Sequence, residues 1–338
     1  MQSNTSPQPQ GRRAHAPGLL PLALAGDSEA IRGARGALEQ PGAAPLLILA
    51  DEGLDLPAIA RYVHDRTRAG APFIAVDCAQ VDADALGTAL FGVRSRAATE
   101  LETLGAGSAL LTARRGTVFL ENVGDLPAAL QRRLARVMRD GEVRVAGRDR
   151  VRIDARIVAS GSTTLPGDAR DGRFRADLMR RFGPVSVTIP ALRARPDDIP
   201  AIVKRMAADL TDGTARPAPA FTPAALTMLA AMPWIRNVDD LAATLASALD
   251  RVDAPVIRQE DLLPGVPFEA VGRRAAPDVS LREARRRFER EYIASVLEQH
   301  GWRMSEAART LGIERANLYR KARELGIQRG APGGRGHS

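Results

Sequence analysis

Four short apolar runs set the strongest constraint on how this chain can fold: PLLILA at 45–50, PFIAVDC at 72–78, GTVFLEN at 116–122 and ARIVASG at 155–161. Each is continuous and bounded by turn residues, the pattern of central strands in a buried parallel sheet. Helical segments lie between them. LPAIARYVHDRTRAG (56–70) puts Ile59, Val63 and Arg66 on one face. LPAALQRRLARVMRDGEV (126–143) repeats apolar residues at helical spacing through Leu130, Leu134 and Val137–Met138, and should stop at Gly141. Alternating strands and helices predict an α/β layer fold.

After IPALRARPDDIP (189–200) the strand signal fades. DIPAIVKRMAADL, TPAALTMLAAM and NVDDLAATLASALDRV read as three helices, the second opened by Pro223 behind a capping Thr222. They predict a separate all-helical subdomain. PGVPFEAVGRRAAPDV (264–279) has linker composition. The boundaries expected are therefore a tail at 1–22, an α/β unit at 23–190, a helical unit at 191–263, a linker at 264–279, a helical module at 280–328 and a second tail at 329–338. No apolar run approaches the roughly 18 residues that span a bilayer, and the first eighteen residues lack the apolar core of a signal peptide. The single cysteine, Cys78, allows no internal disulfide and fits a reducing cytoplasm. With four scattered histidines it offers no metal-ligand cluster. A net charge of +8 points to an anionic partner such as nucleic acid. Only Lys204 and Lys321 are lysines, however, so arginine is used almost everywhere and a single arginine says little.

RMSEAARTLGIERANLYRKARELGI (303–327) carries the most specific signal. Ser305 is placed to cap a helix running to about Leu311, Gly312 to make a left-handed turn, and a second helix to begin near Glu314 or Arg315. Ala308 lets the two helices approach and Leu318 anchors the second, as a helix-turn-helix requires. The candidate contacts to double-stranded DNA are Ser305 at the start of the first helix and Arg315, Asn317, Tyr319, Arg320 and Lys321 on the outer face of the second. A plain helical hairpin with an arginine-rich face is the alternative. In the preceding segment Leu281, Ala284, Phe288, Tyr292 and Val296 form an apolar stripe, widened by Ile293 and Leu297, that needs a partner. Packing on the hairpin would satisfy it. A two-fold dimer would also set two reading helices about 34 Å apart.

Residues 280–327 resemble the Fis-type C-terminal DNA-binding domain. The rest resembles the AAA+ domain of bacterial sigma-54-dependent enhancer-binding regulators, through ALAGDSEAI (24–31), RYVH (61–64), PFIAVDC (72–78), LFG (90–92), GRFRADLMRRF (172–182), PALRARPDDIP (190–200) and NVDDL (237–241). The resemblance spans about 24–327, with no receiver or sensor domain expected ahead of it. It implies a P-loop-type parallel sheet with helices on both faces, an all-α lid and a helix-turn-helix domain. It also implies ATP and magnesium as cofactors, RNA polymerase as a partner and a homodimer or larger oligomer.

The residues at the implied ATP site depart from the family pattern. Where the family has a sequence like GESGTGKE, this chain has Ala50, Asp51, Glu52, Gly53, Leu54, Asp55, Leu56 and Pro57. A phosphate loop needs glycines whose backbone N–H groups line the phosphates, and a lysine to reach them. Here the lysine position is Leu56, and Glu52 and Asp55 add carboxylates. Like charges 4 Å apart repel by about 1 kcal/mol in water and about 4 kcal/mol at an effective dielectric near 20. The alternative role for Asp55 is to cap the following helix, with Pro57 in its first turn. The family's metal-binding aspartate aligns with Glu121 and its water-polarising glutamate with Asn122, which cannot accept a proton at neutral pH. Ser162 stands where asparagine is usual, and Asp239 where the lid carries arginine. Arg175 and Arg181 match the family's intersubunit arginines; in so arginine-rich a chain, ordinary surface arginines are the alternative. The sigma-54-contacting GAFTGA loop should follow LFG, but the sequence runs VRSRAATELETLG.

The reading is a sequence-specific DNA-binding transcription regulator. Its AAA+ domain is a non-hydrolysing scaffold for oligomerisation or regulation, independent of sigma-54, with no bound cofactor and no membrane association. The alternatives are an ATP-dependent sigma-54 activator, or an interaction protein that joins rings of an active relative and inhibits them.

Overall fold

The computed structural model describes residues 19–40, 42, 44–79, 82–92, 101–145, 148–183, 185–214, 216–266, 290, 292–294, 296–297 and 300–327. They divide into two compact units. The first holds 33–50 and 55–189 together with residues up to Leu24; the second holds 25–32, 51–54 and the chain from Pro190 onward.

In the first unit the strands are β1 (Leu46–Ala50), β2 (Phe73–Asp77), β3 (Thr103–Leu104), β4 (Thr117–Glu121), β5 (Glu142–Val145), β6 (Arg148–Arg152), β7 (Arg156–Ser162) and β8 (Ser186–Thr188). Five of them form a wholly parallel sheet in the order β2-β4-β7-β1-β8. The four apolar runs are its β2, β4, β7 and β1. Every residue of β1 is buried, which is why its sequence is unbroken leucine, isoleucine and alanine. The edge strand β8 was not expected from the sequence. It has three residues and only Val187 is buried. A second sheet of β3, β5 and β6 was also missed.

The helices of this unit include α1 (Glu29–Leu38, which begins in the second unit), α2 (Leu56–Arg68), α3 (Ala83–Phe91), α4 (Ala109–Thr112), α5 (Ala128–Asp140), α6 (Leu165–Arg170) and α7 (Ala176–Phe182). In α5, Leu130, Leu134 and Val137 are buried, and the helix ends at Gly141 as expected. In α2, Ile59 and Val63 are buried, while Arg66, one turn beyond Val63 at the same helical spacing, is exposed. Its guanidinium is exposed and pairs with Glu39 at 3.1 Å. The Glu39 carboxylate also accepts the Tyr62 hydroxyl, and these two partners hold it below the usual carboxylate range.

His64, also on α2, is buried with its Nδ1 2.9 Å from the Thr117 hydroxyl and its ring edge-on to Phe73. Burial pushes its pKa below the ordinary imidazole value. As pH falls through the ordinary value the unfolded chain gains a proton that the folded chain refuses. Stability is therefore full above that window and declines below it. The expected result is a urea midpoint that drops between pH 7.5 and 5.5, and drops less in His64→Gln. Equal drops in the two proteins would assign the acid sensitivity elsewhere.

The second unit contains α8 (Ile199–Thr211), α9 (Pro223–Ala231), α10 (Asn237–Arg251), α11 (Gln259–Leu262), α12 (Met304–Thr310) and α13 (Arg315–Glu324). Thr222 caps α9 through a bond from Ala225 N, with Pro223 in the first turn. The region is not wholly helical: β9 (Ala220–Phe221) and β10 (Val256–Ile257) pair in parallel. Such two-residue ladders are too short to leave a pattern. Met228, Leu229, Trp234, Leu241 and Leu245 fill its core. Residues 1–18, most of the linker at 267–279, the stripe residues Leu281, Ala284 and Phe288, and the tail at 329–338 lie outside the described residues.

Candidate functional site

In the first unit, Asp55 stands at the N-cap of α2 and its Oδ1 accepts from Ala58 N at 3.1 Å. The carboxylate thus satisfies one of the helix's free N–H groups from inside the chain, where a phosphate loop would leave them for a ligand. Leu56 opens the helix and Pro57 occupies its first turn. At the end of β4, Glu121 lies opposite Asp77 in register. Asn122 follows in the left-handed region at φ 55°, a conformation asparagine tolerates. Its Nδ2 donates to Asp77 Oδ1 at 3.1 Å. An amide committed as a donor to a carboxylate has no basicity to offer a water molecule. Ser162 ends β7 and its Oγ accepts from Thr164 N.

In the second unit, residues 51–54 are held by the segment around 190–239. Asp51 pairs with Arg193. Asn237 is fully buried; its Oδ1 accepts from Leu192 N at 2.9 Å and its Nδ2 donates to the Glu52 carbonyl at 2.6 Å. Gly53 has φ 80°, and a Cβ there would collide with the Arg236 carbonyl. Its own carbonyl accepts from Asp239 N at 3.3 Å. Asp239 also meets the Arg236 guanidinium at 3.3 Å, in the open. The Gly53 backbone is therefore faced by an acceptor oxygen. A phosphate would need donors there.

Arg175 precedes α7 and makes a two-bond pair with Asp177, at 2.9 and 2.7 Å, which raises its pKa. Arg181, six residues on, is exposed. Both are accessible to a second subunit. The segment 93–100, where the sequence departs from the GAFTGA loop, lies outside the described residues.

The C-terminal hairpin has the expected form. Gly312 has φ 66°, Ala308 and Leu318 are buried, and Ala307, Leu311 and Ala322 close the contact. Tyr292, Ile293, Val296 and Leu297 of the preceding segment are buried too. Ser305 is not the cap: α12 begins at Met304, so Ser305 is an exposed residue of the first turn, behind Arg303. Bonds from Trp302 N to Leu297 O and from Arg303 N to His300 O fix the turn two residues earlier than the serine suggests. On α13, Arg315, Tyr319 and Arg320 are exposed, while Asn317 and Lys321 are half-buried. The Arg315 guanidinium sits 5.7 Å from the Tyr319 ring, and Arg320 donates to Asn317 Oδ1 at 3.1 Å. Arg323, one turn beyond Tyr319 and Arg320, shares the exposed face and was overlooked in the sequence. Helical spacing alone would have found it.

The sigma-54 interaction domain profile matches residues 26–188, an AAA+ ATPase lid profile 193–275, and the Fis-family bacterial regulatory profile 284–325. The chain belongs to the family of sigma-54-dependent bacterial transcription regulators, with an AAA+ α/β domain, a lid and a Fis-type DNA-binding helix-turn-helix. Among its relatives are the regulatory protein AtoC of Escherichia coli, 32% identical over 84% of this chain and 63% of AtoC. The nitrogen assimilation regulator NtrX of Azorhizobium caulinodans is 30% identical over 91% and 70%. Crystal structures of NtrX from Brucella abortus with ADP and with ATP superpose with TM-scores of 0.65 and 0.66 at 30% identity, over 89% and 90% of this chain and 69% of that one. The chain spans a little under two thirds of the length of AtoC and of ZraR. Among the described residues no helix is long and apolar enough to cross a membrane, and no group of histidine, cysteine, aspartate and glutamate is placed to hold a metal ion.

Proposed function

We propose that this chain regulates transcription by binding duplex DNA through α13, and that its AAA+ domain is a scaffold that neither holds nor hydrolyses ATP. The observation that carries this reading is the capping of α2 by Asp55: the helix end that would receive phosphate already has a carboxylate on it. Leu56, Asn122 bonded to Asp77, and the Arg236 carbonyl against Gly53 act in the same direction. These residues do not fit a magnesium triphosphate. Without hydrolysis, remodelling of sigma-54 polymerase has no energy source, so regulation is independent of that step. Arg175 and Arg181 would then serve in oligomer contacts, through carboxylates of a neighbouring subunit.

The second reading, an ATP-dependent activator, is favoured by the family itself and by the relative whose crystals hold ADP and ATP. The Leu56→Lys variant separates the two. It restores the missing cation while Asn122 and Asp239 remain, and phosphate release is expected to stay at background. Steady turnover in that single variant would mean that the remaining positions suffice, and would favour the activator. Co-assembly with an active relative is tested by mixing the two and measuring the relative's phosphate release, which the scaffold reading leaves unchanged.

A further inference from the structure

The first unit carries a second basic surface, remote in sequence from the helix-turn-helix. β5 and β6 form an antiparallel ribbon in which Val143 pairs with Val151, Arg144 with Arg150, and Glu142 with Arg152. Val143 and Val145 point inward and are buried, so the alternate residues Glu142, Arg144, Arg150 and Arg152 form the exposed face. Arg144 directly opposite Arg150 is a like-charge cross-strand pair, which weakens a sheet in the absence of an anion.

Beside the ribbon lies a groove of about 490 Å³ whose lining includes Arg114, Arg115 and Arg152 over Leu111 and Val151, with Asp154 at its margin. Arg68 draws these parts together by donating to the carbonyls of Arg115, Gly116 and Asp154. Arg114 is held at φ 44°, an uncommon conformation for a side chain of its size. Among the described residues none of Arg114, Arg115, Arg144, Arg150 and Arg152 forms an ion pair. Five exposed arginines thus lie on the ribbon or along its groove, and among the described side chains of these two features the exposed carboxylates are Glu142 and Asp154.

We infer that this arginine ribbon is a sequence-independent contact for the phosphate backbone of duplex DNA, additional to the reading helix. DNA is favoured over an acidic polypeptide on three grounds. The cations are all arginines, whose forked donors match phosphate oxygens. A two-stranded ribbon has a width that a major groove admits. A chain already holding DNA by a helix-turn-helix also presents further duplex to this surface at high effective concentration. The contact does not depend on whether the AAA+ domain binds nucleotide.

The test uses the full chain and a 30-base-pair duplex of random sequence, with affinity measured by fluorescence anisotropy over a range of salt concentrations. Replacing Arg144, Arg150 and Arg152 with Gln is expected to reduce the log–log salt slope by about 2–3, at about 0.9 per lost phosphate contact. The corresponding Lys triple variant should keep most of the slope, which separates loss of charge from loss of fold. A control removing the same charge elsewhere, by Arg170, Arg216 and Arg258→Gln, should leave the slope near that of the unaltered chain. An unchanged slope in the ribbon variant, or an equal loss in the control, would overturn the inference. So would displacement of the duplex by polyglutamate at equal charge, which would assign the surface to an acidic polypeptide instead.

Discussion

Replacing Asp198 with alanine is expected to destabilise the protein by about 3–5 kcal/mol, the cost typical of breaking a buried charged cluster from one side. Asp198 is 3% exposed. One oxygen of its carboxylate accepts from Asp27 N and Ser28 N, at 2.8 Å each, and the other from Ser28 Oγ at 2.6 Å. It therefore caps the start of α1 from a segment 170 residues away. The side chain of Arg195, fully buried, donates to the Ala25 carbonyl at 2.9 Å and lies 3.9 Å from the same carboxylate. Alanine would remove three acceptor contacts, each worth about 1.5–3 kcal/mol when the acceptor is charged, and the carboxylate beside the buried guanidinium. Urea denaturation of the full chain measures this. Asp198→Asn should lose less, since its oxygen can still accept. A loss under 1 kcal/mol in the alanine variant would mean that water replaces the carboxylate and that the clamp contributes little.

The second large effect is on DNA. Asn317→Ala and Arg320→Ala are each expected to weaken specific binding by about 1–3 kcal/mol, roughly 5- to 150-fold. Arg320 donates to Asn317 in the free protein, so each residue orients the other. The double variant should consequently lose less than the sum of the two single losses. Gel-shift titrations with the selected operator duplex, beside a scrambled one, give both quantities. Unchanged specific affinity in both single variants would remove α13 as the reading helix and leave its basic face as solvated surface.

Much of this architecture was legible because it is local. The β1 run is apolar at every position since both faces of that strand are covered, and no other local pattern competes with it. The α12–α13 hairpin was equally plain, since a small residue, a glycine and a leucine at fixed offsets leave few alternatives. The cap assigned to Asp55 also required only a helix start and a carboxylate. The failures are tertiary. Ser305 is a better intrinsic cap than Arg303, but the turn after Leu297 closes on Arg303 and starts the helix early. The closure of Gly53 by the Arg236 carbonyl, and the amide of Asn237 that holds Glu52 across 185 residues, left no trace in either stretch read alone. The motifs PALRARPDDIP and NVDDL matched a family pattern; their physical content, a buried clamp and a buried amide bridge, became visible only in three dimensions.

On the proposed reading, protein groups occupy the positions where a triphosphate would bind. Calorimetric titration of magnesium ATP into the full chain, with and without operator duplex, is the decisive measurement. No saturable heat is expected up to about 1 mM nucleotide, which means binding weaker than about −4 kcal/mol, in both conditions. A one-site isotherm in the micromolar range in either condition would contradict it and return the protein to the ATP-driven members of its family.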